Sequence, residues 1–85
     1  MKIVSSELDL HSLTVEEALP ALDRYLSDAF MAGHCEVRIV HGKGSGTLRQ
    51  AVTRELKRHP LVRYFRIGGH REGQTGVTIV QLTEH

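Results

Sequence analysis

From about Ile3 to Leu10 apolar and polar residues alternate, with Leu8 and Leu10 interleaved with Asp9 and His11. A period of two predicts a half-buried strand and puts Asp9 and His11 on the same side of it. The period then changes. Thr14-Val15-Glu16-Glu17 has the form of a capping box, and Val15, Ala18, Leu19, Leu22, Leu26, Ala29 and Phe30 follow at helical spacing up to Gly33. Pro20 falls inside this run and removes a backbone donor, which predicts a kink or an irregular first turn. Glu36-Val37-Arg38-Ile39-Val40 reads as a second strand. Thr47-Leu48-Arg49-Gln50 offers another capping box, with Leu48, Ala51, Val52, Leu56 and Leu61 as the buried stripe of a second helix that stops at His59-Pro60. Val62 to Ile67 alternates as a third strand, Gly68 to Gly76 forms a loop, and Val77 to Leu82 makes a fourth strand.

The order β-α-β-α-β-β predicts an α/β two-layer sandwich. Its four-stranded mixed sheet has both helices on one side, and the last two strands close as an antiparallel ladder. In such a sheet, binding groups collect beyond the carboxyl ends of strands. Here those ends are Asp9-Leu10-His11 and His41-Gly42-Lys43, so the two segments are expected to meet in space.

Eighty-five residues, 40% of them hydrophobic and 25% charged, suit one domain, residues 1–85, with a packed core. A formal charge of +1 excludes a broadly basic nucleic-acid binder, so affinity for a polyanion has to come from local clustering. No long apolar run suggests a membrane span, and the single Cys35 forms no internal disulfide, which together make the cytoplasm the expected compartment. Cys35 opens an apolar run and is expected to be a buried or half-buried, inert thiol.

The chemistry-bearing stretch is His41-Gly42-Lys43-Gly44-Ser45-Gly46-Thr47-Leu48-Arg49. Glycines between a strand and a helix let backbone N–H groups approach a ligand, and the helix adds the positive end of its dipole. The segment reads as an anion socket in which Lys43 and Arg49 supply charge and Thr47 serves first as a helix cap and second as a phosphate contact. No Gly-Lys pair is followed at once by Ser or Thr, which argues against nucleotide hydrolysis, and few aromatic residues are present to line a base pocket.

Leu8-Asp9-Leu10-His11, then His41-Gly42-Lys43-Gly44 with Gly46 and Leu48-Arg49, then Gly76-Val77-Thr78-Ile79-Val80 with Leu82, resemble the three ordered motifs of the small MutS-related (Smr) domain. The resemblance covers a core of about residues 8–82. It implies a fold like the C-terminal domain of translation initiation factor three, occurring alone or at the C-terminus of the second MutS paralogue. It also implies endonuclease activity: nicking of DNA in recombination and repair, or cleavage of messenger RNA in ribosome-associated quality control. Two positions depart from the family pattern. Ser12 stands where glycine usually follows the Asp-Leu-His triplet, and Gly73-Gln74-Thr75-Gly76 holds fewer glycines than is usual.

Phosphodiester cleavage requires a held phosphate, neutralised charge and moving protons. In this reading Gly42, Lys43, Gly44, Gly46, Thr47 and Arg49 bind the phosphate. His11 and His41 act as acid and base, and Asp9 orients a histidine or, with His11, holds Mg²⁺ or Mn²⁺. RNA could be cut through its own 2′-hydroxyl without a metal, whereas DNA needs water and gives a metal more to do. The expected partners are DNA or RNA, the ribosome, and further domains of a MutS-type chain. The alternative is a non-catalytic module that docks on DNA, RNA or the ribosome. Each site residue also has a plainer use, as a turn-stabilising hydrogen-bonder or a solvated charge. His34, His59 and His85 read as surface or turn residues. His70 and Arg71 are loop candidates for backbone contact, and Arg38, Arg63 and Arg66 either track nucleic acid or pair with glutamates across strands.

Overall fold

The computed structural model describes residues 3–42, 46–68 and 76–84. Four strands and two helices follow the expected order: β1 (Glu7–Asp9), α1 (Val15–Met31), β2 (Glu36–Val40), α2 (Thr47–Arg58), β3 (Val62–Ile67) and β4 (Val77–Leu82). The sheet order is β1-β2-β4-β3; β1 runs parallel to β2, and β4 is antiparallel to both β2 and β3. It follows that β2 and β3 are parallel with β4 inserted between them.

One hydrophobic core joins the helices to one face of the sheet. Ala18, Leu22, Tyr25, Leu26 and Ala29 of α1 and Val52 and Leu56 of α2 cluster with Leu10, Val37, Ile39, Val80 and Leu82. Tyr25, absent from the expected stripe, enters the core with its hydroxyl donating to the Ser5 carbonyl. Val77 and Ile79 lie on the other face of β4 yet are also buried, as befits a strand flanked on both sides whose sequence is a nearly continuous apolar run.

β1 is shorter than the alternation suggests. Glu7 to Asp9 pair with Arg38 to Val40, but the chain ahead of them is held differently: the Val4 carbonyl meets His34 Nε2 at 2.7 Å and the Ser5 carbonyl accepts from Tyr25. His34 has taken the Val4 carbonyl, whose parity is that of the β2-facing residues, and Ile3 is left exposed.

The capping box of α1 forms as expected. Glu17 N–H donates to Thr14 Oγ1 at 3.2 Å, and Thr14 N–H donates to Glu17 Oε1 at 3.0 Å. Its far end closes in a Schellman turn, with Gly33 N–H on the Phe30 carbonyl and His34 N–H on the Ala29 carbonyl. The helix runs unbroken through Pro20, and of the two expected alternatives the irregular first turn does not occur, Ala18 N–H reaching the Thr14 carbonyl at 2.8 Å. Both Pro20 and Glu16, whose carbonyl loses the donor, are exposed, so water can satisfy that carbonyl.

The second expected capping box does not form. Gly46, not Thr47, is the N-cap of α2, with φ +88° and no side-chain cap bond, and Thr47 is the first helical residue. At the other end α2 stops at Arg58, because His59 precedes Pro60 and adopts an extended backbone. Leu61 therefore lies past the helix rather than on its stripe.

Two further expectations need correction. Cys35 is exposed: it shares its parity with Val37 and Ile39 but precedes the first paired residue of β2. His59 is buried, its Nε2 2.8 Å from Asp23 Oδ1 and its Nδ1 accepting from Leu61 N–H at 3.2 Å. It ties the end of α2 to α1. Arg38 takes the plainer of its two readings, with Nε 3.7 Å from Glu7 Oε1 on the neighbouring strand.

Candidate functional site

The parallel pairing of β1 and β2 puts their carboxyl ends side by side. Asp9 is in register with Val40, and Leu10 N–H donates to the Val40 carbonyl at 2.7 Å. The chain then leaves β1 at His11 and β2 at His41-Gly42. The approach is close enough that a Cβ on Gly42 would stand 3.3 Å from the Cβ of His11. Gly42 has φ +81°, which glycine adopts at little cost.

Around this junction lies an open pocket of about 430 Å³, lined among others by His11, His41, Gly42, Gly46, Thr47 and Arg49. Six of the expected site residues thus face one cavity. Asp9 does not line it but is joined to it through His11. Lys43 and Gly44 lie outside the described residues, as do His70, Arg71 and the Gly73-Gln74-Thr75 segment. The pocket also takes in Leu13, Thr14 and Val15 from the start of α1, which the motifs did not single out.

Asp9 and His11 form a dyad. Asp9 Oδ1 accepts the His11 backbone N–H at 3.0 Å and also bonds the His11 ring at Nδ1. These contacts, the backbone one first and the ring second, hold the Asp9 carboxyl below its ordinary value of 3.8, so it is a carboxylate at neutral pH. An acceptor of this kind fixes the hydrogen on Nδ1 and leaves Nε2 as the nitrogen available for proton transfer. Both side chains are about half exposed, at 52% and 59%, so substrate and solvent can reach them.

His41 is placed differently. It is 4% exposed, with Nε2 2.8 Å from the hydroxyl of Thr78 and Nδ1 3.2 Å from the Gly42 carbonyl. Burial pushes its imidazole below the ordinary value of 6.5; the Gly42 carbonyl partly opposes this, and the charge of Arg49 adds to it. His41 is therefore neutral at pH 7, with both ring nitrogens engaged inside the protein. Its backbone N–H and that of Gly42 both donate to the Gly76 carbonyl at 3.0 Å, which fastens the turn after β2 to the start of β4. Thr78 and Gly76 are the contributors that residue chemistry alone passed over. The available signal was a hydroxyl residue in the middle of the apolar run Val77 to Val80.

On the facing wall, the first backbone bond of α2 runs from Gln50 N–H to the Gly46 carbonyl at 2.9 Å, and the N-cap residue, Gly46, has no side chain to cap the helix. The first turn carries no acidic residue. The positive end of the helix dipole thus opens on the pocket, and Arg49 adds a full charge there: a Cβ on Gly46 would lie 3.7 Å from its guanidinium. A cation in the first turn opposes the dipole, so both features attract an anion and neither satisfies the other.

Comparison with known families gives a match to the Smr domain over residues 8–83. The chain belongs to the Smr domain family. Similar curated proteins include proteins named endonuclease MutS2 from Clostridium tetani, 48% identical over 82 residues, and from Geobacillus kaustophilus, 54% identical over 79 residues. These alignments cover 96% and 93% of this chain but 10% of each relative, so this Smr domain spans about a tenth of the length of the curated relatives it matches. Among solved structures, the Smr domain of Thermus thermophilus MutS2 superimposes with a TM-score of 0.88 at 44% identity, covering 91% of this chain and 96% of that one. YdaL, a stand-alone small MutS-related protein from Escherichia coli, superimposes with a TM-score of 0.87 at 26% identity, over 93% of this chain and 65% of that one. The α/β fold with its four-stranded mixed sheet is thus the Smr fold.

Among the described residues no group of three or more His, Cys, Asp or Glu side chains is arranged to hold a metal ion. Asp9 and His11 are a carboxylate and an imidazole bonded to each other, donors that would hold Mg²⁺ or Mn²⁺ only with a substrate phosphate and water completing the set. The described helices include none long and apolar enough to cross a membrane.

Proposed function

We propose that this Smr domain is an endonuclease module that cleaves phosphodiester bonds of nucleic acid with little sequence specificity, using His11 to move the proton and the start of α2 with Arg49 to hold the phosphate. The observation that carries this reading is the convergence of the Asp9–His11 dyad with the cationic N-terminus of α2, begun by Gly46, on one pocket.

In the proposed step, the α2 N-terminus and Arg49 draw in one phosphate and offset the charge that builds on its oxygens. His11 Nε2 takes the proton of the attacking oxygen as that oxygen bonds to phosphorus. The bond to the leaving oxygen breaks, that oxygen takes a proton from water, and the His11 imidazolium gives its proton back to the solvent. The Asp9 carboxylate orients the ring and stabilises the imidazolium while it exists. With RNA the attacker is the neighbouring 2′-hydroxyl and the product is a cyclic phosphate; with DNA it is water. A positioned proton shuttle contributes about 10²- to 10⁴-fold. No step is routed through a metal.

The test is to incubate supercoiled plasmid and single-stranded RNA with the wild-type domain and with His11→Ala and Arg49→Ala, each with Mg²⁺, Mn²⁺ or a chelator. Cleavage that drops about 10²-fold or more in His11→Ala supports the reading, whereas cleavage undiminished by either substitution overturns it. A second reading, a non-catalytic module docking on DNA, RNA or ribosomal RNA within a longer MutS-type chain, is favoured by one observation. Both ring nitrogens of His41 are engaged, which leaves His11 as the available imidazole among the described residues that line the pocket. Salt-sensitive binding without cleavage by any of the three proteins would establish it.

A further inference from the structure

We infer that Thr78 is a positioning residue for the proposed phosphodiester site, acting through His41 and Gly42 on the wall against which His11 stands. The consequence for cleavage rests on the nuclease reading above; the structural part does not.

Thr78 is fully buried on β4 and in register with Ile39, so it is the diagonal neighbour of His41, which continues the same face of β2. Its hydroxyl meets His41 Nε2 at 2.8 Å. The other ring nitrogen, Nδ1, faces the Gly42 carbonyl at 3.2 Å. A carbonyl can only accept, so Nδ1 carries the hydrogen, Nε2 presents its lone pair, and Thr78 donates to it. The ring is thereby fixed in one tautomer. Protonating Nε2 would turn the Thr78 hydroxyl into an acceptor and strand its own hydrogen in a fully buried place, a second reason, besides burial, for His41 to stay neutral.

The ordered ring in turn holds the Gly42 carbonyl, while Gly76, two residues before Thr78, accepts from the N–H groups of both His41 and Gly42. β4 and the glycine just before it therefore grip the turn after β2 through three hydrogen bonds. The far side of that turn is the α-carbon of Gly42, where a Cβ would stand 3.3 Å from that of His11, tighter than ordinary contact. A change at Thr78 is transmitted across this contact, although Thr78 does not line the pocket.

Imidazole ¹⁵N–¹H correlation spectra of the wild-type domain read the tautomer directly, with no substitution needed. The expected spectrum has a protonated Nδ1 and an unprotonated Nε2 for His41 at pH 7. A protonated Nε2 would overturn the proposal. Thr78→Val keeps the branched shape but removes the donor, and Thr78→Ser keeps the donor. The expected result is that Thr78→Val loses the single-tautomer spectrum and cleaves about tenfold more slowly, and that Thr78→Ser restores both. A Thr78→Val spectrum identical to wild type also overturns it, and so does a cleavage loss that serine fails to rescue. Should the wild-type domain cleave neither plasmid nor RNA, the nuclease reading falls, and the spectra still decide whether Thr78 sets the ring.

Discussion

Gly33 and Gly42 allow the close approach at the site to be separated from the backbone strain that accompanies it. Both have similar positive φ, +90° and +81°, but a Cβ on Gly33 would meet nothing within 4 Å, whereas one on Gly42 would meet His11 Cβ at 3.3 Å. Alanine in the left-handed region costs roughly 1–2 kcal/mol. It also narrows the unfolded ensemble, which offsets about 0.4–1 kcal/mol. The net loss is then about 1 kcal/mol at either position, and for a domain of this size that lowers Tm by about 4–8 °C. His11 is exposed and can yield, so the additional contact at Gly42 acts on the position of the imidazole more than on stability. Displacing a reacting group by about 1 Å can cost 10²-fold, so a shift of a few tenths of an ångström is expected to slow cleavage roughly tenfold. Thermal unfolding and initial cleavage rates of Gly33→Ala and Gly42→Ala should therefore show matched Tm losses and unmatched activities. Equal cleavage rates for the two variants would refute the argument that this wall positions His11.

Four further outcomes are expected. Arg49→Glu should raise stability by about 0.3–1 kcal/mol, because an anion suits the helix N-terminus, while nucleic-acid binding weakens; chemical denaturation and binding titrations at several salt concentrations check the opposite signs. Asp23→Leu should cost about 1–2 kcal/mol in urea unfolding by removing the acceptor for the buried His59 ring, and Asp23→Asn, which keeps an oxygen, should cost less. The lowered pKa of His41 means that below 6.5 the unfolded chain takes up a proton that the folded one refuses. This contribution to stability is complete above 6.5 and is lost as pH falls toward the folded value; urea midpoints between pH 5 and 8 should slope less in His41→Gln. Burial, with a smaller effect of the Glu7 charge, pushes the Tyr25 hydroxyl up to about 12 from 10, so stability should fall as pH rises from 10 toward 12, and Tyr25→Phe should remove both that loss and the late step in an absorbance titration.

Much of the architecture was legible along the chain. The periods of two and 3.6 located every strand and helix, and the Thr14–Glu17 box and Gly33 marked the ends of α1, because these are local matters of backbone donors and φ. Two departures came from contacts distant in sequence: His34 takes the Val4 carbonyl ahead of β1, and Asp23 reaches the buried His59 from another helix. Pro20 shows the converse: its local penalty was read correctly, and exposure removed the consequence.

By itself, then, the sequence determined the element order, most of the core stripes and the residue types proposed to bind a phosphate and move a proton. Only tertiary structure decided how the two histidines differ. His11 and His41 both follow a strand and are chemically identical, yet one stands half exposed with its Nδ1 on a carboxylate and the other is enclosed between a hydroxyl and a carbonyl. A proton's affinity for an imidazole depends on solvation and on the groups facing each ring nitrogen. At His41 those are set by Thr78, 37 positions away in the chain, and they exist only once β4 has inserted beside β2.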